Sequence, residues 1–280
     1  MGAVMKKLFC VMLVLMITGL AAGFAPMARA QELGGAFAMT PPGSFSLGLR
    51  ADWLLQQKIK DTDLKATLSN QAVSFSDTGT LTGLKLENDY YLSLNGTYGV
   101  TRWLNFFAQV GLVDGGKLKM DGAEAKLGSN LFWALGAKVR PFEAKNGMGM
   151  MITARYMRYD DREVKDWKIN GTGPSDLYGY STDDQVKCWQ VDAAAVLYWK
   201  LGKVTPYLGG AYTYSEMQYD GRWNNASNGA TVTYDAKFKP KDEYMVLGGL
   251  DIALGKNWAL NLQGAFGSRS EVGVGLQFTF

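Results

Sequence analysis

Ten stretches of this chain alternate apolar and polar residues with a period of two, which is the spacing of side chains on the two faces of a β-strand. The sharpest is the last, residues 271–280, reading E-V-G-V-G-L-Q-F-T-F. Val272, Val274, Leu276, Phe278 and Phe280 fall on one face, and Glu271, Gly273, Gly275, Gln277 and Thr279 on the other. At the other end, Phe45, Leu47, Leu49, Ala51, Trp53 and Leu55 oppose Arg50 and Asp52. Leu84, Leu86, Tyr90, Leu92, Leu94 and Tyr98 share a face, with Lys85, Glu87 and Asp89 opposite. Further runs fall at 103–112, 131–140, 150–156, 189–199, 206–216, 244–254 and 258–266. They carry Lys138, Arg155, Asp192 and Asp251 on the polar face.

Short and long connections alternate between these runs. The segments 99–102, 141–147, 201–205 and 255–257 are turns, whereas 58–82, 113–128, 158–184 and 217–240 are long and polar; 267–270 is a tight hairpin. This pattern predicts an all-β, antiparallel up-and-down barrel of ten strands with both ends on one side. A hairpin hidden in 58–82 or 217–240 would give twelve strands, and merging the weakest pair would give eight. A soluble barrel or sandwich also alternates, with its apolar face turned to a core. Three features favour a transmembrane barrel: aromatics at the strand ends of the apolar face, charges in mid-strand on the other, and a final Phe. Trp189 and Trp199, ten residues apart on one face, suit the two interfaces of a roughly 25 Å apolar band crossed by a tilted strand.

The first thirty residues follow a different pattern. Lys6 and Lys7 precede an apolar run from 8 to 24, and Ala28-Arg29-Ala30 is a small-x-small site before Gln31. This predicts an export signal cleaved between Ala30 and Gln31, with a retained membrane anchor as the alternative. The predicted organisation is therefore 1–30 signal peptide, 31–43 a periplasmic tail containing Pro41-Pro42, and 44–280 the barrel. Of two cysteines, Cys10 leaves with the signal, so Cys188 has no partner for an internal disulfide. It is expected near the outer rim of a strand.

Composition changes this picture little. A hydrophobic content of 47% without long apolar runs excludes a helical membrane protein but not a barrel. An aromatic content of 12% fits two interfacial girdles. The formal charge of +3 comes from Lys6, Lys7 and Arg29; without them 26 basic residues face 26 acidic ones. Net charge thus gives no reason to expect a nucleic acid or other polyanion as partner.

The C-terminal strand ending on Phe280, in a chain that opens with an export signal, resembles that of bacterial outer-membrane β-barrels. The string Y-G-V-T-R-W-L-N-F at 98–106 is similar to the periplasmic turn of many small members. The resemblance is to the OmpA/opacity-like or porin-like kind without a periplasmic domain. It implies residence in the outer membrane, contact with its lipid and lipopolysaccharide, a monomer, and a barrel assembly machinery that reads Phe280. It implies no cofactor and no metal.

The inward face is expected to hold Arg50, Asp52, Lys85, Glu87, Asp89, Lys138, Arg155, Asp192, Asp251 and Glu271. Ten strands enclose little more than side chains can fill. One reading is a plug of paired charges, because buried charge must be paired, with a structural or surface-interaction role. The other is a narrow diffusion channel for small polar solutes lined by the same groups. Enzymatic barrels depend on a histidine near the outer rim, and this chain has none, so a non-enzyme is expected. Asp160-Asp161 and Asp183-Asp184 could hold divalent cations or simply be solvated. Lys58, Lys60 and Lys65 could meet lipopolysaccharide phosphates. Loop aromatics Trp167, Tyr178, Tyr180, Tyr219 and Trp223 are the expected place for a binding surface.

Overall fold

A computed structural model describes residues 31–32, 35–36, 39–69, 74–173, 180–225, 229–267 and 269–280. The export signal, 1–30, lies outside the described residues. Two short N-terminal strands, β1 (Gln31–Glu32) and β2 (Gly35–Ala36), pair with each other. The strands that follow are β3 (Phe45–Lys58), β4 (Thr62–Ser69), β5 (Ser74–Leu81), β6 (Lys85–Gly99), β7 (Leu104–Met120), β8 (Ala123–Leu127) and β9 (Asn130–Glu143). Then come β10 (Met148–Ile169), β11 (Tyr180–Trp199), β12 (Val204–Asn225), β13 (Thr231–Phe238), β14 (Tyr244–Ala253), β15 (Trp258–Gly267) and β16 (Arg269–Thr279).

Ten of these close a ring by antiparallel pairing: β3, β6, β7, β9, β10, β11, β12, β14, β15, β16 and back to β3. The alternating runs read from the sequence are these ten. Closure joins the first and last ring strands, with the amide of Phe280 donating to the carbonyl of Phe45 at 3.0 Å. Closing the ring leaves no free edge at that level, which a sheet surrounded by lipid requires.

The long polar connections hold more strand than their composition suggests. β7, β10, β11 and β12 run on beyond the ring, and β8, β13 and the β4–β5 hairpin fill in between them. β8 sits between β7 and β10 above the end of β9; β13 pairs with β12 above β14, and β4 pairs with β13. The segment after β13 straps across to β3, where Lys60 N donates to Lys239 O and Lys241 N to Lys58 O. A hairpin is hidden in 58–82, yet it joins an extension on top of the barrel rather than adding strands to the ring.

The outside of the ring is apolar. Leu94, Val110, Leu135, Ile152, Leu197, Leu208, Val246 and Leu262 are exposed there. Aromatic pairs mark two heights. Trp53 stacks on Tyr90 at 5.5 Å, Trp133 meets Tyr156 at 5.5 Å and Trp189 meets Tyr214 at 5.3 Å on the outer side. At the other end Trp258 meets Phe278 at 4.9 Å and Phe45 stacks on Phe280 at 6.3 Å. An apolar band between two aromatic girdles is a lipid-facing surface.

Two placements differ from the sequence expectation. Asn88 has a positive φ of 57°, and the inward face of β6 passes from Asp89 to Leu86 across it. Leu84 and Leu86 are therefore buried inside, although they alternate in step with the outward Tyr90 and Leu94. Lys85 and Glu87 leave the lumen for the same reason: Glu87 pairs with Lys119 at 2.7 Å on the outer part of the wall. The segment expected to hang below the barrel turns into it instead. β2 runs beside β14 and β15, and β1 beside β16. Met39 packs with Met151, Val196, Tyr198, Tyr207 and Leu247, while the Thr40 and Ser46 hydroxyls share a hydrogen bond. Gly99 lets this segment approach, since a Cβ there would lie 2.2 Å from the Pro41 carbonyl oxygen.

Candidate functional site

The inward faces of the ring strands build a belt of paired charge. Arg50 on β3 donates through Nε to Asp52 at 2.7 Å and through Nη1 to Asn261 Oδ1 at 2.8 Å. Asn261 in turn donates to Asp251 Oδ1 at 2.6 Å, so one amide links a cation on β3 to an anion on β14. On the opposite wall Arg155 grips Asp192 Oδ2 through Nε at 3.0 Å and Nη2 at 2.8 Å. Gln190 and Thr213 also donate to Asp192. Arg269 lies 3.9 Å from Asp192 and 2.9 Å from Glu271, joining the two walls. Lys138 is fully buried, over the Phe107 ring at 5.4 Å.

A second ion pair caps this belt. Arg162 Nη1 and Nη2 donate to the two Asp89 oxygens at 2.9 and 2.6 Å, and both side chains are wholly buried. The remaining donors reach Gly128 O and Gly115 O, each at 2.7 Å. A register shift in β10 between Tyr159 and Arg162 aims this guanidinium inward. The sequence reading missed Arg162 because it lies in what looked like a loop. The available signal was its spacing: Arg162 and Val164 keep alternating after Asp160-Asp161.

Of the ten residues expected inside, the structure brings eight together: Arg50, Asp52, Asp89, Lys138, Arg155, Asp192, Asp251 and Glu271. Arg162 and Arg269 join them. Among the described residues the lumen thus carries five cations (Arg50, Lys138, Arg155, Arg162, Arg269) and five anions (Asp52, Asp89, Asp192, Asp251, Glu271). A set with equal numbers of each sign, most of it in direct ion pairs, carries no net charge that would concentrate ions of one sign. It compensates the desolvation that makes lone buried charge costly.

Above the Arg162–Asp89 pair the interior turns apolar. Leu86, Val113, Leu118, Phe132, Val186 and Phe238 belong to one buried cluster. Over it stands an aromatic group. Trp167 meets Tyr219 and Trp223, each at 6.2 Å, and Trp223 meets Tyr234 at 5.2 Å and Tyr180 at 6.4 Å. Four of the five loop aromatics read from the sequence thus converge; Tyr178 lies outside the described residues. Asp184 anchors the group, accepting from Trp223 Nε1 at 2.9 Å and Arg222 N at 3.1 Å. Burial pushes its carboxyl above the usual range, against the lowering effect of these hydrogen bonds.

The acidic pairs are split up. Asp160 is held by Arg158, which keeps its carboxyl below the usual range. Asp161 faces Lys187 at 3.5 Å and Asp184 is in the aromatic group. Among the described residues no cluster of three ligating side chains is formed. Lys60 pairs with Glu243 at 3.7 Å. Cys188 is a free thiol, half-buried on the lumen face at the height of the outer aromatic girdle, beside Trp189.

No family model matches the sequence, and no curated protein matches it. Among solved structures, outer membrane protein OprG from Pseudomonas aeruginosa is 12% identical with a TM-score of 0.42, over 86% of this chain and 97% of that one. The outer membrane protease OmpT from Escherichia coli is 11% identical with a TM-score of 0.46, over 87% and 99%. The translocator domain of autotransporter NalP from Neisseria meningitidis is 11% identical with a TM-score of 0.42, over 100% and 96%. Likeness at this level says nothing of role. The closed ring of an even number of strands, the apolar band between aromatic girdles and the short turns at one end with long extensions at the other stand on their own. The chain is a closed ten-stranded antiparallel β-barrel with a lipid-facing outer wall, the architecture of a transmembrane barrel.

Proposed function

We propose that this barrel is a plugged one with a structural or surface-interaction role, not a conduit. The observation that carries this is the balanced lumen of five cations and five anions, in which Arg50, Arg155, Arg162 and Arg269 pair directly with Asp52, Asp192, Asp89 and Glu271, with an apolar cluster on each side along the axis. An ion crossing such a lumen would have to break paired charges and then enter a dry segment, each step costing several kcal/mol. The segment around Met39 narrows the inner mouth as well. What remains accessible is the extension on the outer side, a rigid platform for contacts at the cell surface. The absence of histidine supports a non-catalytic role.

The partners follow from the same surfaces. Lipid meets the apolar band. Lipopolysaccharide phosphates would meet rim lysines such as Lys58 and Lys60. The assembly machinery would read Phe280, which stands exposed on the outer face of the closing strand. A closed ring leaves no strand edge for pairing with another copy, and we read the barrel as a monomer.

Single-channel recording on residues 31–280 in a planar lipid bilayer tests the plug. A folded, silent barrel is the expected result. Discrete conductance steps that change in Arg155→Ala or Asp192→Asn would establish the other reading, a narrow diffusion channel for small polar solutes.

A further inference from the structure

We propose that a row of four lysines on the outward face of the wall, Lys241, Lys58, Lys85 and Lys119, binds the phosphates of a multiply phosphorylated lipid headgroup without a bridging divalent cation. This rests on the reading that rim lysines meet lipopolysaccharide phosphates. It names which lysines do so and how they hold more than one phosphate.

The row is set by strand register. Lys58 on β3 lies directly opposite Lys85 on β6, and Lys85 opposite Lys119 on β7. On the other side, the strap after β13 bridges β3 at Ile59 and Pro240. Lys241 N donates to Lys58 O at 2.9 Å, which places Lys241 opposite Lys58. Ile59, Leu84, Leu118 and Pro240 are buried, so the lysines that alternate with them point outward. Four ammonium groups thus follow one another across neighbouring strands, over about 14 Å at the usual strand spacing. Like charges directly opposite on one face are destabilising.

Carboxylates do not offset the middle of the row. Glu87 is taken by Lys119 at 2.7 Å, and Glu124 stands opposite Lys119 at the row's end. Beyond the row, Glu243 lies 3.7 Å from Lys60 and Glu216 3.5 Å from Lys239. Asp61 and Asp242 are exposed on the flanks. Lys241, Lys58 and Lys85, three in succession, form no ion pair with any described residue.

Position decides the occupant. Trp53 and Tyr90, a stacked pair of the outer aromatic girdle, lie on β3 and β6 below Lys58 and Lys85. The exposed Leu94 and Val110 continue the apolar band beneath them. A lipid whose chains lie on that band brings its headgroup to the row, and lysine stems follow apolar surface while keeping the charge in water. Phosphate oxygens accept charge-assisted hydrogen bonds from ammonium groups. A row of this length spreads its charge over more than one phosphate. Neighbouring phosphates repel each other and commonly share a divalent cation; here the ammonium groups stand in that place.

The test is native mass spectrometry of residues 31–280 released from neutral detergent micelles. The probes are diphosphoryl lipid A, monophosphoryl lipid A and inorganic pyrophosphate, each with EDTA and again with Mg²⁺. The expected result is saturable binding of diphosphoryl lipid A in EDTA, about fivefold tighter than the monophosphoryl form and not displaced by equimolar pyrophosphate. Lys58→Gln with Lys85→Gln should weaken it about thirtyfold, roughly fivefold for each lysine. Lys58→Arg with Lys85→Arg should keep it. Lys126→Gln with Lys165→Gln removes as much exposed charge elsewhere on the extension and should change it by less than about twofold. Only variants that keep heat-modifiable gel migration are compared. Equal binding of the two lipids, displacement by pyrophosphate, binding that needs Mg²⁺, or an unchanged Lys58→Gln and Lys85→Gln variant overturns the proposal. Binding that falls instead in Lys60→Gln with Lys239→Gln overturns the row but leaves rim lysines on lipid phosphate. Binding unmoved by either pair sinks the broader reading as well.

Discussion

The barrel wall and its outer extension are built from the same strands by opposite rules. On β10, Ile152, Ala154 and Tyr156 face lipid while Thr153 and Arg155 face the lumen. Beyond the register shift at Tyr159–Arg162, Glu163 and Lys165 face outward, and Val164 and Trp167 face in. β11 inverts likewise, from outward Val191 with inward Asp192 to outward Lys187 with inward Val186. The solvent outside changes from hydrocarbon to water, and the chain turns its chemistry over at that height. In lipid the apolar face must point out; in water it must point in. The buried Arg162–Asp89 pair sits at the joint between the two regimes. Its guanidinium also donates to Gly128 O and Gly115 O, so it ties β10 to the backbone of β7 and of the turn between β8 and β9 at this height.

The largest effect should come from breaking that joint. Arg162→Ala or Asp89→Ala leaves one buried charge without its partner, at a cost of about 3–5 kcal/mol. A paired replacement, Arg162→Met with Asp89→Leu, should cost clearly less than either single change, because no orphan charge remains. Urea midpoints in lipid vesicles, followed by heat-modifiable gel migration, separate the three variants. If the singles lose no more than the double, the pair is not what holds the joint.

This inversion also explains how much could be read in advance. The ring was legible because each of its strands obeys one rule throughout the bilayer: Trp189 to Trp199, or Val272 to Phe280, alternate without interruption. Most of the charge belt was legible for the same reason, since Arg155 and Asp192 sit mid-strand opposite apolar runs. Lys85 and Glu87 were misplaced by a single backbone event, the positive φ at Asn88, which alternation cannot register. The extension looked like loop because its outward face is polar and its inward apolar residues are interrupted by bulges at Asp161 and Asp166. β5 hid more completely: S-F-S-D-T-G-T-L is exposed along almost its whole length, so no burial pattern marks it. The soluble-barrel reading, set aside for the chain as a whole, describes the packing of this upper part.

The inversion itself can be sharpened by moving one charge between the two regimes. Leu94 stands half-exposed on the lipid face, midway between Tyr90 and Tyr98. Leu94→Lys should cost about 2–4 kcal/mol in vesicles, as for a lysine near the bilayer midplane. Glu163→Lys, outward on the same barrel but above the shift, loses only an exposed pairing with Lys165 and should stay within about 0.5 kcal/mol of the parent. Equal costs at the two positions would mean that the extension shares the lipid environment of the ring, and the boundary drawn at Arg162 would be misplaced.

The smallest effect concerns the extension alone. Asp184 is raised by burial, so the folded extension favours its protonated form relative to the unfolded chain. By linkage, the stability it contributes is fully present below the ordinary carboxylate range and is lost as pH rises through the raised value. Protease resistance of the outer segments should therefore fall as pH is taken upward across that window. Asp184→Asn, which keeps the shape and cannot ionise, should flatten the response. Asp160 and Asp166 act with the opposite sign: Arg158 and Lys126 lower them, and their contribution is lost as pH falls. Both are exposed, screened by salt and common to the two proteins, so they drop out of the difference between parent and Asp184→Asn. A difference with no pH dependence would mean that the carboxylate is as well solvated in the folded extension as in the open chain. The group around Trp223 would then be a wet surface rather than the dry interior that separates this part of the molecule from the belt below.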